Sequence, residues 1–271
     1  MKVLVHRIKK YWGIFIYFKK VNFLERLAYR FNLLWLMFGA GVQITLNLVF
    51  FNVIFSWVEK INDWEYHQVL MIAGTVWFLE GICWTFFGFF NALRKHIRQG
   101  QLDGILIKPI DGQFLELIYR GDLENFVDTF LGLGVIIFAA WHTDLTGLGL
   151  FLGVVGYSIT LFNALVIICS ISMILNTIAF WTIESGTSQY LVNSILRAGQ
   201  YPTDIFKGKV FQLILASVLP IAFVGTVPAK IFFGGFNLWL VLGSTSIALI
   251  FLGLSRLIWR KGLDRYASAS S

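Results

Sequence analysis

Long apolar runs separated by short polar breaks dominate the chain. Phe31 to Trp57 contains no charged residue. A second run, Val69 to Phe90, is interrupted only by Glu80, and a third, Phe126 to Trp141, carries Asp128 at its start. The fourth opens at Leu148 and stays apolar to Trp181, longer than one crossing needs. The fifth, Val210 to about Phe233, contains Pro220 and Pro228, and the sixth runs from Phe236 to Trp259. A helix crosses the hydrocarbon core with about 20 mostly apolar residues. The pattern therefore predicts an all-α polytopic membrane protein with six transmembrane helices. Residues 1–30 read as an N-terminal cytoplasmic segment, 31–259 as one six-span membrane domain and 260–271 as a cytoplasmic tail.

Two segments depart from the simple pattern. Leu4, Ile8, Trp12 and Phe15 recur at helical spacing with Lys and Arg between them. So many aromatics in a basic stretch favour an amphipathic helix lying in the membrane interface over a plain basic tail. Pro220, Gly225 and Pro228 interrupt the fifth run, and Gly234-Gly235 follows it. Proline breaks the backbone ladder and glycine permits reversal. Two readings stand there: a short re-entrant hairpin at the outer face before the last span, or a kinked ordinary crossing.

Composition closes off other classes. Charged residues make up 14%, against roughly 25% in a typical soluble domain, while 57% are hydrophobic and 27 are Phe. The mean hydropathy is +0.73. A soluble enzyme, a disordered chain and a disulfide scaffold are excluded, since a globule of this size cannot cover that much apolar surface. Charge sets the orientation. In the six-span arrangement, 20 of the 22 Lys and Arg residues fall on one side, leaving only Lys60 and Lys230 on the other. The positive-inside rule puts both termini in the cytoplasm of a cell (inner) membrane protein. The net charge of +7 then reflects orientation and attraction to membrane lipids, and calls for no nucleic acid. The connections Asn91–Asn125 and Thr182–Lys209 fall inside and are substantial; those outside are short.

Little in the chain suggests chemistry of its own. Gly208-Lys209 lacks the earlier glycine of a phosphate loop and is followed by Val210, so nothing here cradles ATP. His6 and His96 fall inside, His67 and His142 outside, so the four cannot share a metal. No nucleophile dyad or serine elbow occurs. Cys83 and Cys169 lie in apolar runs and read as packing residues. The start, with charges throughout, does not read as a cleavable signal. Glu80 is the one acid deep inside a span, with Gln43 and Asn47 of the first span as partners. It reads either as a group lining a pathway or as a neutral carboxyl that locks helices together. The second-to-third loop holds apolar residues between two turn signals. That suits docking to another protein, or folding onto its own membrane domain.

In that loop, RQGQLDGILIKPID (Arg98 to Asp111) resembles the corresponding loop in permease subunits of ATP-binding-cassette transporters of the type-2 export class. Tyr201-Pro-Thr-Asp-Ile-Phe, Val218-Leu-Pro-Ile-Ala-Phe-Val with Val227-Pro-Ala, and the ending from Gly262 agree with it. The resemblance runs from the first span to the C-terminus. It implies a transport subunit, not an enzyme, that works as a homo- or heterodimer with a second permease subunit. A separate P-loop ATPase subunit would bind the ATP and magnesium, leaving no cofactor in this chain. It further implies that coupling to the ATPase runs through the second-to-third loop, with Arg94, Arg98, Leu102, Asp103, Ile105, Leu106, Lys108 and Pro109 as its residues. The interfacial helix around Trp12 and Phe15 would share in docking. The reading from another class is a self-contained channel or ion-coupled carrier using Glu80.

Overall fold

The computed structural model describes residues 2–87, 92–182, 187–206, 208 and 220–270. The described chain is helical apart from turns and one isolated bridge between Ile61 and Trp64. In chain order the helices are α1 (Lys2–Leu27), α2 (Arg30–Trp57), α3 (Tyr66–Phe86), α4 (Ala92–Arg98), α5 (Leu102–Leu106), α6 (Gly112–Ile118), α7 (Phe126–Trp141), α8 (Gly147–Thr177), α9 (Thr187–Gly199), α10 (Thr226–Gly234) and α11 (Leu238–Ser270). Short 3-10 turns fall at Leu123–Asn125, Ile178–Phe180, Thr203–Ile205 and Ile221–Phe223. Among the described residues, α2, α3, α8 with its 3-10 extension and α11 are long and apolar enough to cross a membrane. The fifth apolar helix, α7, has 16 residues, short of the usual span.

Helix α3 is the centre of the bundle. It starts at a capping box: the Glu65 side chain accepts from the backbone N–H of Gln68, and Gln68 Oε1 accepts from Glu65 N–H at 3.1 Å. Most of its apolar stretch is buried. Its closest neighbour is α7, and glycines set the separation. A Cβ on Gly81 would lie 2.4 Å from the Thr129 amide nitrogen, and one on Gly132 2.5 Å from that of Phe78. Lipid tails are as apolar as the helices, so association rests on such close backbone approach. On the other side, α10 packs against α8, where Gly156 leaves room for Ile231.

The two ends of the bundle differ. At the basic end, α4, α5 and α6 fold against α11: Leu93, Leu102, Ile105, Leu115 and Trp259 share one core cluster. Asp111 caps α6 by accepting from Phe114 N–H at 3.0 Å. The same carboxylate takes a two-pronged hydrogen bond from Arg256 of α11. Gln113 donates to Ser255 at 2.8 Å. Burial pushes the Asp111 carboxyl up, but the Arg256 guanidinium and the Phe114 amide more than offset it, so it lies below the ordinary aspartate range. At the opposite end, His67 stacks on His142. There Asp204 accepts from Trp64 Nε1 at 3.4 Å and pairs with Lys230 at 2.8 Å.

That last contact corrects the span assignment. The stretch Thr182–Lys209 is not a connection confined to the basic end. Its helix α9 packs Val192 and Leu196 into the core beside Val76 and Leu79, and Asp204 beyond it reaches the opposite end. Nor is Val210–Phe233 one helix. Residues 209–219 lie outside the described residues; Pro220 then opens a 3-10 turn, and the nine-residue α10 follows. Lys207 and Lys209, counted on the cytoplasmic side, also lie outside them. Pro220, Gly225 and Pro228 are all buried. A Cβ on Gly225 would lie 2.6 Å from the Gly199 carbonyl oxygen, so the end of α9 and the start of α10 meet inside the bundle.

Two outcomes follow from this packing. Gly132→Val drives a branched side chain into α3 and lowers thermal stability by about 1–3 kcal/mol. Gly134→Val on the same helix, where a Cβ meets nothing within 4 Å, leaves stability nearly unchanged. Melting curves of both variants in detergent check this; equal losses would refute the close-approach account. The second outcome concerns Asp111. Asp111→Ala costs about 1–2 kcal/mol, mostly through the lost cap, since the ion pair is partly exposed. Because the folded carboxyl titrates below its unfolded value, its contribution is present above the ordinary carboxylate range and is lost as pH falls through the folded value. Melting temperature against pH should therefore fall less steeply at the acid end for Asp111→Asn than for the native chain.

Candidate functional site

A cavity of about 1040 Å³ opens between α2 on one side and α3 and α9 on the other. Each wall is built at helical spacing. Gln43, Asn47 and Phe50 supply one face of α2; Trp77, Glu80 and Trp84 one face of α3; Asn193 and Arg197 one face of α9. Asp122, Asn125 and Asp128 close it where the chain enters α7, and Gln200 and Tyr201 border it beyond α9. The structure places Glu80, Gln43 and Asn47 in the lining of this one cavity. They are not joined there by a described hydrogen bond: the Asn47 side chain donates to the Gln43 backbone carbonyl at 3.0 Å.

Glu80 has other neighbours. It accepts a hydrogen bond from Trp84 and lies within electrostatic reach of Asp128 and Arg197. Sequence reasoning placed Arg197 in a cytoplasmic connection and did not place Asp128 at the site. The signal for Arg197 was present: Val192, Leu196 and Gly199 form an apolar stripe, and Asn193 and Arg197 lie four apart on another face. The third cavity carboxylate, Asp122, is engaged differently, in an ion pair with Arg26 of α1.

The expected coupling surface lies at the basic end, and the structure sorts its residues. Asp103, Lys108, Pro109 and Arg98 are exposed and Arg94 is half-buried. The expectation that Leu102, Ile105 and Leu106 stand ready for a partner is corrected. Leu102 and Ile105 are buried, at 0% and 5% exposure. Leu106 is half-buried and packs on the same core. They sit on one turn of α5 and fold inward, into a core cluster that includes Trp259. The aliphatic residue presented outward is Ile107, 83% exposed, which sequence reasoning passed over.

Helix α1 lies along this surface. Lys10 donates to the Pro109 carbonyl at 3.0 Å, and Lys19 to those of Ile118 and Arg120 at 3.1 Å each. Burial pushes the Lys19 amine down to about 8, against the pull of the Asp122 carboxylate. Phe15 stacks on Trp12 and faces Phe86 and Phe87. Ile8, Trp12 and Ile16 form an exposed apolar stripe one turn apart. Helix α1 and the loop are therefore one assembly.

A buried pair unnoticed in the sequence lies behind the loop, where His96 Nδ1 and Glu116 Oε1 are 2.7 Å apart. Cys83 and Cys169 are free thiols in the core. Among the described residues, no group of three His, Cys, Asp or Glu side chains is placed to hold a metal ion.

No curated protein and no solved structure matches the chain. A family model described as ABC-2 family transporter protein matches residues 42–270. The match takes in α3 to α11 and the second half of α2, hence most of the cavity lining and the whole loop at the basic end. The chain belongs to the ABC-2 family of transporter proteins, and is a multi-pass permease component of an ABC transporter.

Proposed function

We propose that this chain is the permease subunit of an ABC exporter and that the cavity beside α2 is its share of the translocation pathway. The observation that carries the reading is the cavity itself. A polar chamber beside two helices of membrane-spanning length, α2 and α3, has little structural use, because burying its groups would be cheaper than exposing them at membrane depth. Helix α2 supports the dimer. Only 6% of its apolar stretch is buried within the chain, and its polar Gln43 and Asn47 face the chamber. A second permease subunit, of the same or a different kind, would cover α2 and complete the pathway, with lipid on the remaining surface.

In this reading a separate ATPase docks at the basic end and holds the ATP and magnesium. Both termini lie in the cytoplasm, and α1 rides in the inner interface with Trp12 at headgroup depth. The chain crosses six times, the fifth crossing being α9 with the segment to Asp204. Pro220 to Gly235 then forms a re-entrant piece before α11. The docking residues are Arg94, Arg98, Asp103, Lys108 and Pro109, with Ile107 as the apolar anchor. ATP-driven closure of the ATPase pair pushes on this loop and on α1 and shifts the walls of the cavity.

The loop variants separate docking from folding. Ile107→Asp should leave permease yield unchanged and release the co-purifying ATPase, since truncating an interface anchor typically costs about 1–4 kcal/mol of binding. Leu102→Asp should instead lower the yield of folded permease, because it puts a charge into the core. Lys108→Ala should retain the ATPase at low salt and lose it more readily as salt rises. Quantifying ATPase recovered per permease checks all three. Wild-type recovery with Ile107→Asp would place docking elsewhere. Cargo movement by permease lacking any ATPase would favour a self-contained carrier using Glu80.

A further inference from the structure

The lining of the cavity also bears on what passes through it, an inference that rests on the permease reading above. Two carboxylates, Glu80 and Asp128, share the chamber with one guanidinium, that of Arg197. The third acid, Asp122, is paired with Arg26. The chamber thus leans negative at a depth where each uncompensated charge is costly. Its aromatic side is as marked. Trp77 and Trp84 form the back wall, and Trp35, 72% exposed, and Tyr201 present rings at its mouth. Asn193 adds a hydrogen-bond acceptor: its Oδ1 is buried without a partner.

We propose that the chamber binds an organic cation with an apolar body. Glu80 and Asp128 neutralise the cationic centre, and the indole and phenol faces hold it by cation–π attraction. The apolar face of α2 takes the hydrophobic remainder. An anion of the same shape meets two carboxylates against one guanidinium and is disfavoured. A neutral polyol would draw on hydrogen bonds alone, leaving the carboxylate charge unanswered, and one N–H of the Asn47 amide is already given to the Gln43 carbonyl.

Tetraphenylphosphonium and tetraphenylborate test this, being close in shape and opposite in charge. Binding of each to the purified permease in detergent is followed by quenching of tryptophan fluorescence, with the empty-micelle signal subtracted. The native chain should saturate with the phosphonium. The nearly isosteric double variant Glu80→Gln/Asp128→Asn should melt as the native chain does and lose about tenfold in phosphonium affinity. Trp35→Ala, at an exposed ring, should lose about threefold or more. Arg197→Gln should bind the phosphonium more tightly. No saturable phosphonium binding to the native chain would overturn the proposal, as would equal affinity in the double carboxylate variant. Displacement of the bound phosphonium by maltose would overturn it too, in favour of a polyol chamber. These readouts do not involve the ATPase. An ATPase that co-purifies with a chain showing no preference for the cation would sink the cargo class and leave the permease reading standing.

Discussion

The close approach of α3 and α7 is the contact on which the rest of the structure depends. In water, apolar faces draw helices together; in lipid that drive is absent and packing distance decides. Gly81 lies against the Thr129 backbone and Gly132 against that of Phe78, so the two helices touch along their main chains. The residues flanking this contact are the carboxylates of the cavity. Glu80 precedes Gly81, and Asp128 precedes Thr129. Holding 81 against 129 brings 80 and 128 to the same side of the helix pair. The electrostatic character of the chamber thus follows from a glycine contact with no charge in it.

A second constraint governs the broken segment. Backbone amides inside a membrane protein must find partners within the protein. Where α9 ends and α10 begins they do. Thr203 N–H donates to the Thr226 hydroxyl at 3.1 Å, and the 3-10 turn after Pro220 supplies bonds from Phe223 and Val224. Pro220 has no N–H to satisfy, and Gly225 has no side chain to hold the Gly199 carbonyl away. These same residues make the fifth apolar run unreadable as a single span.

Most of the bundle is legible in hydropathy, because α2, α3, α8 and α11 each carry a long apolar stretch and depth in the membrane selects for that directly. Helix α9 is not, since it needs only the stripe of Val192 and Leu196 toward α3 and can turn Asn193 and Arg197 toward the cavity. A window average reads such a segment as polar and assigns it to a loop. Glu80 was legible as a site residue because a lone acid in an apolar run is conspicuous. Asp128, at the edge of its run, was not. Leu102 and Ile105 misled for a different reason. Apolar residues in a charged connection need cover, but the pattern along the chain does not say whose. The cover is a core cluster that includes Trp259, more than 150 positions away.

The basic end and the cavity are joined through one short turn. Lys19 of α1 holds the carbonyls of Ile118 and Arg120, and Arg26 holds the Asp122 carboxylate. Asp122 N–H donates to the Trp84 carbonyl at 2.9 Å, and the Trp84 side chain hydrogen-bonds Glu80. Between these anchors Gly121 presses on α3 so closely that a Cβ would lie 2.0 Å from the Thr85 carbonyl oxygen. A turn clamped on both sides cannot slide freely over the helix beneath it. Displacing α1 therefore loads the turn, and the load falls on Trp84 and on the carboxylate beside it. Cores packed this tightly shift between discrete arrangements and do not deform smoothly. An ATPase that moved α1 by a fraction of a helical turn would thus act on the wall that carries Glu80.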